Sequence, residues 1–272
     1  MNSITITSSC IQLCKGQDFV FIGENEQFKI MAIFDGHGTS KVIDYIRKIS
    51  KTNRLTEILT SESPCEKLAK DIDDNANVRS FEPSGSTMCL VRISYINKSF
   101  IEYFSVGDSR ILSFEDDKLT ISNEVHDASN KKELERLKNH CRFNLIEDDH
   151  FAVLDEHNLT PSKTVYVKFL DSNRKLAPTQ VLGHCGISGI MPWYYREEIP
   201  VERNKVIYIF SDGIEDMLGK HELLDMYKFK TAEDLSSFIE KRWKQEWKAF
   251  DRPCKFDDSE FWDDISVIRI NL

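Results

Sequence analysis

A chain of 272 residues can bury a full hydrophobic core, so its size demands neither disulfide staples nor a structural metal. Its 45 acidic residues outnumber the 36 basic ones, giving a formal charge of -9 with no long basic block, which argues against a nucleic-acid partner. Seven cysteines (10, 14, 65, 89, 141, 185 and 254) form no CxxC pair and fit reduced thiols better than a secreted framework; Cys10 and Cys14 lack a companion pair at zinc-ligand spacing.

No apolar run approaches the ~20 residues that span a bilayer. The start MNSITITSSC has neither the basic nor the apolar region of a leader, and Asn2 breaks the myristoylation pattern. The expectation is a soluble monomer without membrane contact, cytoplasmic or nuclear.

In chain order, strand patterns cover residues 3–9, 18–23, 28–34, 86–96, 100–106, 110–114, 206–210 and 265–270. Helical periodicity covers 39–49, 65–75, 131–138 and 231–250; in the last, Leu235, Phe238, Ile239, Trp243, Glu246 and Trp247 recur at three and four. Short turns between several strands favour antiparallel pairing, and no linker or repeat divides the chain. These patterns predict an α+β layered fold in one domain, residues 1–272. Trp243 and Trp247 read as core packing.

Four strand ends carry carboxylates. Residues 30–34 run into Asp35-Gly36-His37-Gly38, and 206–210 run into Ser211-Asp212-Gly213; Asp108 follows Gly107 after 100–106, and Asp263-Asp264 precede the final strand. Asp-Gly alone is a turn dipeptide. Four such ends, if their strands are neighbours, would crowd carboxylates on one rim, where they must share cations or protons. Oxygen ligands without cysteine, and with one well-placed histidine, point to Mg²⁺ or Mn²⁺. A pair of such ions ~4 Å apart is the arrangement that holds an attacking oxygen and a phosphoryl group in line.

The ordered set GQDF (16–19), FDGHG (34–38), SGSTM (84–88), VGDSR (106–110), SDGIED (211–216) and WDDIS (262–266) resembles the metal-dependent protein serine/threonine phosphatases of type 2C. NEVHDASNKKELERL (123–137) is similar to the family's Asp-His-x-Pro stretch and the Glu-rich helix after it. The resemblance implies a four-layer α-β-β-α sandwich, two central antiparallel sheets flanked by helices, with a variable flap around 140–180. It also implies two Mg²⁺ or Mn²⁺ ions. Asp35 would bridge both; Asp212 and Asp263 would complete the first site; the Gly36 carbonyl and Asp18 would serve the second. Asp108 and Asp216 match positions that take a third ion. His37 would be the general acid, and a water shared by the metals would attack phosphorus on a phosphoprotein substrate.

The matches have gaps. Where the family commonly has a phosphate-gripping arginine, five residues before Asp18, this chain has Leu13; Lys15 is the nearby basic residue and the substrate-binding candidate, facing the same way if the segment is extended. Asp264 stands for the usual Asn and adds charge. LAPTQVLGHCGI (176–187) carries Gln180 for an arginine and His184 for an aspartate. Two readings follow: an active metal-dependent phosphatase, or a pseudophosphatase that binds phosphoproteins. A metal-dependent nuclease is a more remote third, at odds with the charge.

Overall fold

Residues 28–34, FKIMAIF, are apolar at nearly every position, which suits a strand covered on both faces. In the computed structural model, which describes residues 4–76, 84–96, 100–139, 141–155, 158–170, 175–183, 189–199, 204–245, 248–249 and 262–272, this segment is such a strand. It is β3 (Phe28–Phe34) and lies inside a five-stranded antiparallel sheet. Across that sheet the order is β13 (Trp193–Glu198), β7 (Phe100–Val106), β6 (Met88–Ser94), β3 and β2 (Phe19–Glu24). The second five-stranded antiparallel sheet runs β1 (Thr5–Ile11), β16 (Ile265–Asn271), β14 (Lys205–Phe210), β8 (Arg110–Glu115) and β9 (Lys118–Ser122).

Side-chain alternation then assigns the layers. Met31 and Ile33 of β3, with Cys89 and Val91 of β6, pack against Ile207 and Ile209 of β14 and Ile268 and Ile270 of β16, forming the seam between the sheets. Ile30, Ala32 and Phe34 face the other way, onto helices α1 (Lys41–Ser50), α2 (Asn53–Leu59) and α3 (Pro64–Asn75). On the outer face of the second sheet, Tyr208, Phe210 and Val267 pack with Leu235, Ile239 and Trp243 of the long helix that begins at Ala232. The result is the four-layer α-β-β-α sandwich.

All eight expected strands and all four expected helices are found, with ends moved by a few residues. The stretch 86–96 divides at Thr87 into β5 (Ser84–Ser86) and β6, and β5 pairs with β4 (Gly36–Gly38). Between β9 and β14 lie α4 (Lys131–Lys138) and a long hairpin of β10 (Phe143–Asp155) and β11 (Asn158–Phe169), extended by β12 (Lys175–Leu176). After β14 come α5 (Asp212–Glu215), α6 (Lys220–Leu224) and α7 (Ala232–Gln245). The helix expected over 231–250 ends at Gln245; Lys248–Ala249 is a short strand, β15, on β10. Trp247 and His184 lie outside the described residues. The five cysteines described are free thiols, and among the described residues no helix is long and apolar enough to cross a membrane.

Candidate active site

The carboxylate-bearing strand ends gather at one rim because β3, β7, β14 and β16 end or begin there. Asp35 follows β3, and its backbone is clamped: the Asp35 carbonyl accepts from Thr87 N at 2.8 Å, while Gly36 N donates to the Gln17 carbonyl at 3.2 Å. Gly36 has no room for a side chain, since a Cβ there would meet Ile43 and the Gln17 carbonyl well inside contact distance. On the same rim, from the second sheet, Asp212 opens α5 directly after β14. Ser211 N bonds the Ser266 carbonyl at 3.1 Å and Ser266 N bonds Ser211 Oγ at 3.0 Å, tying the Asp212 turn to the Asp263–Asp264 approach of β16. Beneath it, buried Trp243 donates through Nε1 to the Gly213 carbonyl at 2.8 Å. Arg110 of the VGDSR motif holds Glu215 of the SDGIED motif through Nε and Nη2, both at 2.8 Å, so Asp108 and Asp212 are braced by a shared ion pair.

The electrostatics identify one interacting group. Burial pushes the Asp18 carboxyl up to about 8, and the charges of Asp263, Asp212 and Asp264 push the same way. Asp35 lies well above the ordinary carboxylate range, from burial first and then from Asp212, Asp18, Asp263 and Asp108. Asp108 and Asp216 are raised likewise by burial and by Asp212. Asp263 rises to about 6, through burial and Asp212, and is restrained by Lys15. Buried Asp18 Oδ2 has no hydrogen-bond partner. Such a rim holds more negative charge than its described hydrogen bonds can neutralise.

Lys15 supplies part of the missing charge. Its Nζ lies 3.0 Å from Asp263 Oδ1 and 2.8 Å from Oδ2. Burial alone would lower its pKa, but the charges of Asp263, Asp212 and Asp35 outweigh that effect and raise it. The segment carrying it is not extended: residues 13–15 bend, and Gly16 takes φ of +64°. Consequently Leu13 does not share a face with Lys15; it is half-buried and packs against the apolar cluster beneath α7.

Asp264, expected to add charge near the metals, has a second role that the sequence did not reveal. Its Oδ1 accepts from the backbone of Leu13 at 2.9 Å and of Cys14 at 3.2 Å, and its Oδ2 accepts from Gln17 at 2.8 Å. It anchors the loop that presents Lys15. Gln17 is also a brace, donating from its side-chain amide to the Gly38 carbonyl at 2.6 Å. His37 sits in β4 opposite Gly85, while Ser40 is the residue at the N-cap of α1. Gln180 is buried and bridges Glu133 Oε1 at 2.7 Å and Met191 N at 2.6 Å, so it joins a structural network rather than the rim. Among the described residues, no three acidic, histidine or cysteine side chains close tightly enough to hold a metal ion as they stand.

The order of motifs on this scaffold has counterparts among known proteins. A family profile described as protein phosphatase 2C matches residues 6–144, half of the chain. The chain belongs to the protein phosphatase 2C family. A curated relative, Protein phosphatase 2C homolog 2 of Saccharomyces cerevisiae, is 23% identical over 235 residues, 79% of this chain and 47% of the relative. The chain thus spans about half the length of that relative. Solved structures agree on the fold. A C. elegans sex determining protein superimposes with a TM-score of 0.64 at 17% identity, covering 100% of this chain and 65% of that one. Serine-threonine phosphatase 2C from Toxoplasma gondii gives 0.62 at 14% identity, covering 98% and 94%. The catalytic domain of the phosphatase PstP, solved in complex with two manganese ions, gives 0.52 at 13% identity, covering 98% and 97%.

Proposed function

We propose that this phosphatase 2C chain hydrolyses phosphoserine and phosphothreonine in proteins with Mg²⁺ or Mn²⁺ bound at the acidic rim. The observation that carries the reading is the rim itself: Asp18, Asp35, Asp108, Asp216 and Asp263 each held above the ordinary carboxylate range by burial and one another's charge, with Asp18 Oδ2 buried and unbonded. Oxygen-only donors of this kind suit a hard divalent cation, so the residues present fit the ions by chemistry. Asp35, Asp212 and Asp263 would hold one ion, and Asp35, the Gly36 carbonyl and Asp18 a second, with Asp108 and Asp216 for a third. When bound, such ions supply Lewis acidity toward phosphoryl oxygens and lower the pKa of water. His37, two residues beyond Asp35, donates the proton that the departing serine or threonine oxygen needs. The β4–β5 pairing fixes its backbone, and the Thr87 contacts keep Asp35 from relaxing away from its neighbours. The hairpin Phe143–Phe169 serves as the flap that selects the phosphoprotein.

The test is hydrolysis of para-nitrophenyl phosphate and of a phosphopeptide with Mn²⁺, Mg²⁺ or EDTA. The expected result is metal-dependent turnover that Asp212→Ala abolishes; Asp212→Ala as active as wild type would refute it. A second reading, a pseudophosphatase that binds phosphoproteins without turning them over, is favoured by two observations: half-buried Leu13 packed against the apolar cluster and Lys15 engaged on Asp263. A folded wild type that binds phosphopeptide but shows no turnover at saturating Mn²⁺ would establish it.

A further inference from the structure

The contact between Lys15 and Asp263 joins two residues to which the family resemblance gives separate tasks, one for substrate and one for metal. The ammonium meets both carboxylate oxygens, at 3.0 and 2.8 Å. Its backbone is not free to drift, because the loop is tied from three sides. Asp264 takes three of its amide protons. Arg47 Nη2 donates to the carbonyls of Gly16 and Asp18, both at 2.9 Å, and Gln12 Nε2 donates to the Asp18 carbonyl at 3.0 Å. With its backbone so tied and 45% of its side chain exposed, Lys15 can leave Asp263 by a change of rotamer without opening the core. Other cations described at this rim are already committed, Arg110 to Glu215 and Arg47 to carbonyl oxygens.

We propose that Lys15 is a tethered counter-cation of the acidic rim that competes with divalent metal for Asp263. The proposal rests on the metal-dependent reading above. With the ammonium set against both carboxylate oxygens, a divalent ion arriving at Asp263 meets a like charge at contact range, and that repulsion drives Lys15 outward. The displaced side chain is then available to an incoming phosphate, which it cannot serve while bound to Asp263. Metal loading and phosphate binding are thereby coupled through one residue.

Calorimetric titration of the full chain with MnCl₂, on wild type, Lys15→Met and Lys15→Arg, tests this without an activity readout. Lys15→Met removes the competitor, and its Mn²⁺ affinity should rise roughly tenfold, the scale set by losing one partly screened charge contact. Lys15→Arg keeps a cation of suitable fork geometry and should bind as weakly as wild type or more weakly. Melting in EDTA gives the second readout: Lys15→Met should melt below wild type without metal and gain more on Mn²⁺ addition. Equal Mn²⁺ affinity in wild type and Lys15→Met, with both binding, would overturn the competition while leaving the metal reading intact. No Mn²⁺ binding in any of the three would overturn the metal reading and this proposal with it.

Discussion

Asp264→Asn separates two accounts of the rim. If Asp264 is chiefly one more negative charge beside Asp18, neutralising it should relieve repulsion and stabilise the fold, since its charge is among those raising Asp18. If it is chiefly the anchor of the 13–17 loop, neutralising it should destabilise. The geometry favours the second. Asp264 is 1% exposed and accepts three backbone N–H groups, one of them from buried Gln17. An asparagine offers one acceptor oxygen, so either orientation of its amide turns an NH₂ onto at least one N–H donor. Losing a charge-assisted acceptor and stranding a buried donor costs roughly 2–3 kcal/mol. The charge relief is small by comparison, because Asp264 ranks behind burial, Asp263 and Asp212 in raising Asp18. The net expectation is a loss of about 1–3 kcal/mol, read by urea denaturation near neutral pH in EDTA. Asp264→Asn as stable as wild type, or more stable, would show that repulsion outweighs anchoring.

Further outcomes follow from buried groups around the same scaffold. Glu133→Ala deprives Arg136, Thr179 and Gln180 of their shared carboxylate acceptor, with Glu133 and Arg136 side chains only 7% and 9% exposed; a loss of about 3–5 kcal/mol in chemical denaturation is expected. Gly213→Ala places a Cβ against the Asp264 carbonyl oxygen, which is backbone and cannot yield locally. The expected overpacking cost is about 1–3 kcal/mol or more, with Mn²⁺ affinity reduced in titration because the Asp212 turn is pushed off the Asp263–Asp264 segment, which the added Cβ also meets at Asp263. His126 has its pKa lowered, by burial first and by Arg136, against the opposing pull of Glu133 and Glu124. Its Nδ1 accepts from Gly107 N at 3.1 Å, a bond only the unprotonated ring can make. Because the folded value is the lower one, its stabilisation is complete above the unfolded pKa of about 6.5 and fades as pH falls through the folded value. The stability advantage of wild type over His126→Gln should therefore shrink between about pH 7.5 and pH 5.5.

Much of the fold was legible because the sandwich writes its layers into the strands. FKIMAIF and KVIYIF are apolar on both faces, and each is indeed sandwiched between a sheet and a helical layer. Elements that escaped notice are those whose apolar face is short or shared. Helix α2 buries only Leu55, Ile58 and Leu59 within one and a half turns, too little periodicity to stand out. Strand β13, WYYREE, is an edge strand with much of its surface exposed, so its composition reads as polar loop. The β10–β11 hairpin carries an acidic stretch, Glu147 to Asp149, in the middle of its first strand, and its sequence has no NG or DG turn dipeptide.

The carboxylates of the rim were legible for a different reason: each follows or precedes a strand, and strand ends are where a sheet can present side chains without losing ladder bonds. Their supports were not, because the partners are distant in sequence. Asp264 reaches residues 13–17 across about 250 positions, and Trp243 supports Gly213 across 30. The departures from the family pattern share this property. Leu13, Lys15 and Asp264 look like three unrelated substitutions along the chain. In the folded protein they form one unit, in which Asp264 fixes the loop, the bend at 13–15 turns Leu13 onto the apolar cluster, and Lys15 is left facing Asp263. Restoring one residue of the pattern alone therefore does not restore its function: Leu13→Arg would bring a guanidinium into an apolar cluster, while Lys15 still held Asp263. Only a paired change, Leu13→Arg with Lys15→Met, tests whether an arginine can reach the rim, and the single Leu13→Arg chain should lose stability first.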